Sequence, residues 1–420
     1  MWAVHGIMSL FLRSAGHAAL TLLLCGSVAP HTLAGQRAAS DTLTTHSVRR
    51  ATASGLYADT ARAFRFHGYA TLTFSENGEA LGSEVGRTPQ TLIPGTSPRS
   101  GVNPSGFKQD AAIFIGGEPV SGIRTVVEVH FEGNALDPIL TEAKLTWDLV
   151  GRDGGDAALR LTAGRFWWPF GQHDREWFST LNSFTALSPA AGEVVPAHYN
   201  EVGAMLEGEV LAGPDFGFNY LVAVGNGTPS FELADNVGGT AFDENENRTV
   251  TSRVGFAFRN SGEIDLGFSV AHGTLREGLS TTYADTDARR YGAKFTAYGP
   301  DLSVSSRHFG LRAYYYVSRE SLIGAPLPHL DRDGLTVEPR GIFYPDIGRL
   351  TDLTVHGRFS FSDELNLDGR TFRRLQYALG ASTRVAERLS IKVSYILQRE
   401  KQDATEVPNS IFVLALTAEF

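Results

Sequence analysis

From Phe64 onward, apolar and polar side chains alternate with a period of two. Phe64, Phe66, Ala70, Leu72 and Phe74 interleave with Arg65, His67, Tyr69, Thr71 and Thr73. Ile123, Thr125, Val127, Val129 and Phe131 interleave with Arg124, Glu128, His130 and Glu132, and Leu353, Val355, Gly357, Phe359 and Phe361 with Thr354, His356, Arg358 and Ser360. Successive residues of a strand point to opposite faces, so one face of each run suits hydrocarbon and the other suits water. The runs are about 9 to 13 residues long, close to what a tilted strand needs to cross a bilayer.

One strand per run predicts strands over 64–74, 107–117, 121–133, 139–148, 158–169, 198–210, 216–226, 248–259, 262–272, 288–299, 302–319, 336–344, 352–362, 371–385, 388–400 and 410–420. The set is even in number, as a single-chain bacterial barrel of about sixteen strands requires. The connections alternate in length. Short ones fall near Glu118-Pro119, over 150–157, at Gly213-Pro214-Asp215, Asn260-Ser261-Gly262 and Gly299-Pro300-Asp301, over 345–351 and at Ala386-Glu387. Longer ones are 75–106, 134–138, 170–197, 227–247, 273–287, 320–335, 363–370 and 401–409. Short turns are periplasmic and long loops external in such barrels, which puts both chain ends on the periplasmic side. Two stretches strain the pattern. Leu302 and Val304 oppose Phe309, Leu311, Ala313 and Tyr315 in parity, which predicts a bulge near Ser306. The run 336–344 contains Pro339, which lacks a ladder donor.

Residues 1–34 read as a secretory signal peptide. Arg13 supplies the positive flank, 18–34 the apolar core and exit, and Thr32-Leu33-Ala34 a small-residue cleavage site. Residues 35–63 are polar and form a periplasmic N-terminal segment, leaving 64–420 for the barrel. Beyond Ala34 no run of about 18 apolar residues follows, so a spanning helix is not predicted. A membrane location then requires closure, because lipid satisfies no open sheet edge. Net charge is −9, which argues against a nucleic-acid partner. The single cysteine, Cys25, lies in the leader, which excludes disulfide frameworks and thiolate sites downstream of it. The last strand places Phe412, Leu414, Leu416, Ala418 and Phe420 on one face, an ending that resembles the signature by which outer-membrane barrels are recognised for assembly.

The stretch Gly164–Gly203 departs from the pattern. About two dozen charged, small and Pro-bearing residues separate two strands, and an insertion of that length is usually functional. The expected arrangement is a loop folded back into the barrel to narrow it. Gly164-Arg165-Phe166-Trp167-Trp168-Pro169-Phe170-Gly171, with Ser188-Pro189 and Asn200-Glu201-Val202-Gly203, resembles the phosphate-selective porin (O and P type) family and its general porin relatives. The resemblance implies a sixteen-stranded barrel, often trimeric, with the third outer loop folded inward. It does not assign phosphate-binding residues one by one.

In a pore, function lies in width and lining charge. The loop carries Asp174, Arg175, Glu176 and Glu193 as constriction residues. Parity sends Arg253, Arg290, Lys294, Arg312, Arg358, Arg374, Arg384 and Lys392 inward, with few acids on the same strands, so one wall is expected to be basic. The opposite side mixes Arg65, Arg124 and Lys144 with Glu128, Glu132, Glu142, Glu201, Glu207 and Glu209. Such a field helps small anions. The bland alternative is that these charges merely face water. Trp167, Trp168, Phe170 and Trp177 read either as pins holding the loop to the wall or as an interfacial girdle or sugar platform. Asp243–Asn247 and Asp331–Gly334 hold oxygen ligands of the calcium type in expected outer loops, where acidic runs are ordinarily solvated. No metal or cofactor is assigned. No HExxH, phosphate-cradling loop or GxSxG is present, so no catalytic residue is assigned either. The readings carried forward are a passive porin for small anionic or neutral solutes, surrounded by outer-membrane lipid and forming a homotrimer, then a surface barrel with an adhesive or structural role, and an outer-membrane lipid hydrolase.

Overall fold

The structure is a computed structural model and describes residues 65–78, 106–132, 137–151, 156–172, 183–184, 188–195, 200–227, 248–259, 262–274, 294–321, 329–345, 352–365, 371–386, 388–402 and 405–420. The signal-peptide and N-terminal-segment readings, and the acidic run 243–247, lie outside them. Sixteen strands follow one another in chain order: β1 Arg65–Gly78, β2 Gly106–Val120, β3 Ile123–Glu132, β4 Asp137–Val150, β5 Ala157–Trp167, β6 Asn200–Leu211, β7 Phe216–Gly225 and β8 Thr249–Arg259. The second half is β9 Glu263–Thr274, β10 Lys294–Ser305, β11 Phe309–Ser321, β12 His329–Phe343, β13 Asp352–Leu365, β14 Thr371–Ala386, β15 Leu389–Gln402 and β16 Thr405–Glu419. Each pairs antiparallel with its sequence neighbours, and β16 returns to β1 to close a barrel.

Closure leaves no unpaired edge, and the two faces divide as the period-two pattern requires. Leu72, Val222, Val254, Phe256, Leu266, Phe268, Leu379, Val393, Leu414 and Leu416 are exposed on the outer face. The alternate positions are buried and largely polar: Thr71, Glu128, Glu142, Thr251, Arg253, Asp265, Asp301, Glu338, Arg358 and Gln376. An apolar exterior over a polar interior is the reverse of a soluble domain and matches a transmembrane barrel. No helix among the described residues is long and apolar enough to cross a membrane, and crossing by strands needs none. At the seam, Phe420 exchanges backbone hydrogen bonds with Gly68 at 3.1 and 2.9 Å, and its ring lies 6.3 Å from that of Phe66. The chain end thus fastens the first strand to the last.

Three expectations are corrected. Gly299-Pro300-Asp301 is no turn but the middle of β10, whose ladder to β9 runs through all three residues. The turn lies at Ser306–His308, closed by Ser306 N–H donating to the Phe309 carbonyl at 2.8 Å, so the parity break there marks a hairpin and not a bulge. Pro300 is accommodated because the ladder to β11 is interrupted only at Gly299 and Pro300, between Tyr298↔Val317 and Asp301↔Tyr314. Pro339 behaves alike: β12 pairs continuously with β11 and skips the β13 side between Val337↔Phe359 and Arg340↔His356. Consequently β12 begins at His329, and Asp331–Gly334 belongs to a strand, not to an outer loop.

Candidate functional site

Charge collects on the inner face. Arg253 on β8 donates from Nη2 to Asp301 Oδ1 at 2.6 Å and to Asp265 Oδ1 at 2.9 Å, and from Nη1 to Asn219 Oδ1 at 3.0 Å. Glu338 on β12 accepts from both Arg312 and Arg358. Arg332 bridges Glu320 at 3.3 Å and Glu364 at 3.0 Å. Across the barrel, Lys144 meets Glu142 at 2.7 Å and Arg124 meets Asp148 at 2.8 Å. The wall expected to be basic is therefore a lattice of alternating sign. Neighbouring opposite charges cancel at range, so the field along the axis is weaker than the arginine count suggests.

The residues after β5 leave the wall. Gly164 has φ +122°, a region that favours glycine, and a Cβ there would run into the Ala143 carbonyl. The ladder to β4 stops one residue later, at Ala143↔Arg165. Phe166 and Trp167 are then both buried, where alternation would expose one of them. The Trp167 indole N–H donates to Glu128 Oε2 at 3.1 Å. Trp168 donates from Nε1 to Thr251 Oγ1 at 2.8 Å, Gly171 N–H to Ser269 Oγ at 3.0 Å, and Gln172 N–H to the Tyr316 hydroxyl at 3.1 Å. Gln172 Nε2 adds a bond to Asp301 Oδ1 at 2.8 Å. The acceptors are buried side chains of β8, β9, β11 and β10 in turn.

Aromatic packing reinforces these bonds. Trp168 and Phe170 stack at 4.9 Å between ring centroids, and Phe170 meets Tyr316 edge-on at 5.1 Å. Gly171 has φ +62°, and a Cβ on it would collide with the Tyr316 hydroxyl, so this contact requires glycine. Further on, Phe184 lies against His356 at 5.1 Å, with the Arg358 guanidinium 4.7 Å from its ring centre. The Ser188 and Tyr314 hydroxyls are 2.5 Å apart, ahead of a π-helical turn, Ala190–Val194, that is buried apart from Gly192 where its side chains are described.

Of the expected constriction residues, Asp174, Arg175 and Glu176 lie outside the described residues; Glu193 falls in the π-helical turn, its side chain undescribed. Arg290 is also outside them. Arg253, Arg312, Arg358, Arg374 and Lys392 sit on the inner parity of β8, β11, β13, β14 and β15. Arg384 shares it at the short-turn end, exposed, its N–H donating to Asp352 Oδ1 at 3.2 Å. Lys294 does not. It is exposed on the outer parity of β10 with Tyr298 and Pro300, because the inward positions Phe295 and Ala297 are apolar, buried in the cluster around Trp168, and so reverse the polar-inside pattern on that strand. Asp265, Asp301, Glu320, Arg332 and Glu338 are further inner-face charges. Asp265 and Glu338 follow from parity within the predicted strands, whereas Asp301, Glu320 and Arg332 fall in expected connections and emerge only with the observed strand bounds. Trp167, Trp168 and Phe170 are buried against the wall; Trp147 on β4 is 53% exposed and occupies the outer face instead.

Together, closure, strand number and divided faces define a sixteen-stranded outer-membrane β-barrel, and the chain is located in the bacterial outer membrane. No protein-family model matches the chain, and no curated protein matches it. Among solved structures, it is similar to OmpT (in-vitro folded), an outer membrane protein of Vibrio cholerae, with TM-score 0.54 and 10% identity over 85% of this chain and 97% of that one. OmpT is also recorded in a trimer form. An anion-selective porin from Comamonas acidovorans gives TM-score 0.53 at 10% identity, covering 85% of this chain and 99% of its own. OprB of Pseudomonas putida gives 0.52 at 8% identity, covering 86% and 94%. At these identities the likeness is one of fold.

Proposed function

We propose that the chain is a passive outer-membrane porin that admits small hydrophilic solutes, with the polypeptide after β5 folded inward as its constriction. The observation that carries the reading is the run of hydrogen bonds from Trp168, Gly171 and Gln172 to buried side chains of four successive strands, β8 to β11. A segment so held narrows a passage whose wall is polar and charged. An anion-selective porin among the structures of similar fold supports the same class, and the sequence resemblance supports kinship with phosphate-selective porins. The preference for anions is mild, since Arg253, Arg312 and Arg358 each carry an acidic partner. The chain acts without catalysis and assembles as a homotrimer, as the trimer form of OmpT suggests by analogy.

Folded protein added to planar bilayers should give stepwise conductance, with a reversal potential under a salt gradient displaced slightly to the anion side. A second reading, a barrel with a surface adhesive or structural role, draws on the buried aromatic packing of Trp168, Phe170 and Tyr316 across the inner face. It predicts no steps and unchanged solute uptake after deletion. An outer-membrane lipid hydrolase would release acyl chains from phospholipid, and replacing one Ser or His would abolish that release.

A further inference from the structure

The outer face changes character toward the long-loop end of five consecutive strands. Moving toward the long-loop end, the outward residues of β11 run Leu311, Ala313, Tyr315, Val317 and then Arg319; on β12, Val337 and Leu335 give way to Asp333 and Asp331. On β13, Phe359 and Phe361 give way to Asp363; on β14, Tyr377 and Leu375 to Arg373; on β15, Tyr395 and Leu397 to Arg399. Each apolar run covers about ten residues, enough to span the hydrocarbon with tilted strands. The charges therefore sit where the hydrocarbon ends and headgroups begin. Next to this sector β10 adds the exposed, outward Lys294, and beyond β16 Glu76 of β1 is also outward and exposed, whereas the long-loop ends of β7 and β8 carry Val224 and Val250 outward, 36% and 47% exposed.

The charges are organised side to side. Arg319 makes a two-pronged contact with Asp331, at 2.7 and 3.0 Å, and Arg373 one with Asp363, at 2.6 and 2.6 Å. Asp333 and Asp363 are direct cross-strand partners, an arrangement that alone would repel, and the Tyr315 hydroxyl donates to Asp333 at 3.1 Å. The acids hold the two guanidinium planes against the wall while leaving the groups accessible: the side chains of Arg319 and Arg373 are 60% and 53% exposed. Arg399 is exposed beside them. Three exposed guanidinium groups stand on a lipid-facing wall that three aspartates bring close to neutral, and what suits phosphate is their geometry of paired N–H donors.

We propose that the outward sector formed by Arg319, Arg373 and Arg399 is a docking surface for the phosphorylated headgroup of an outer-leaflet lipid. The contact is lateral and fixes one side of the barrel to its lipid annulus, independently of what passes through the interior. Asp331 and Asp363 work against it electrostatically while they orient the arginines, so the two groups of substitutions have opposite signs.

The test uses the full chain, folded in zwitterionic micelles and titrated with lipid A, with binding read by native mass spectrometry. An arginine near an anionic surface contributes roughly fivefold in affinity, so R319Q/R373Q/R399Q should weaken binding by roughly a hundredfold. D331N/D363N should strengthen it, a result that damage to the fold would not produce. R307Q/R388Q, on the short-turn side, should leave it unchanged, and dephosphorylated lipid should bind weakly to every form. Equal affinity of the triple variant and the parent, weakening by D331N/D363N, equal binding of the dephosphorylated lipid, or full displacement by millimolar inorganic phosphate would each overturn the assignment.

Discussion

Replacing Arg253 by Met removes the cation from between two buried acids while keeping an unbranched side chain in place. The side chains of Asp265 and Asp301 are 3% and 0% exposed, and the guanidinium provides each with an ion pair. Breaking a buried pair by removing one partner costs about 3 to 5 kcal/mol, because the remaining charge is left in a medium that solvates it poorly. Here two carboxylates lose their partner at once, and Asn219 loses a donor, which puts the expected cost at the upper end of that range. Asp301 retains Gln172 Nε2 at 2.8 Å, a neutral donor that offsets only a fraction. The triple variant R253M/D265N/D301N should recover most of the loss, since it leaves neutral amides in place of stranded charges. Equilibrium urea unfolding in lipid vesicles, followed by tryptophan fluorescence, reads both. A cost below about 1 kcal/mol for R253M, or a triple variant no more stable than the single one, would refute the view that this network is dry and mutually dependent.

Three other outcomes follow from the same geometry. Leu379→Arg, near the middle of the outward apolar run of β14, should destabilise the barrel by about 2 to 4 kcal/mol in vesicle refolding, whereas Gln376→Arg on the opposite face of that strand should cost less. Trp168→Ala removes the stack on Phe170 and the bond to Thr251; it should cost about 3 kcal/mol or more in the same assay and raise single-channel conductance by loosening the inward segment. Replacing Arg358 and Arg374 with Ser should move the reversal potential toward cations, by less than two uncompensated charges would, since Glu338 keeps Arg312. An unmoved potential would take both residues out of the permeation path.

Most of the architecture is legible in the alternation of side chains, because the two faces of a membrane strand meet solvents that differ as much as hydrocarbon and water do. The exceptions are local. Gly299-Pro300-Asp301 has the composition of a turn, yet the real turn, Ser306-Arg307-His308, contains neither Gly nor Pro and is closed by Ser306 and Phe309. Proline fits the middle of β10 because two skipped pairs on the β11 side, at Gly299 and Pro300, absorb its missing donor, a tolerance that residue identity alone does not reveal. The turn-like composition hides Asp301, while the buried apolar Phe295 and Ala297 on the inner face of β10 reverse the face on which Lys294 is read. The doubled burial of Thr141 and Glu142 has a similar origin: β3 and β4 slip register there, so two neighbouring residues face inward. The bonds of Trp168, Gly171 and Gln172 are not legible in the sequence, because their acceptors come from strands 80 to 150 positions away, which no local pattern connects.

The account stands on a watery passage through the cylinder, and liposome swelling tests it most directly. Vesicles loaded with the folded full chain and diluted into isotonic arabinose should swell, and more slowly as the sugar is lengthened to a di- and then a trisaccharide. Vesicles that hold correctly inserted protein yet keep their volume in arabinose would contradict it.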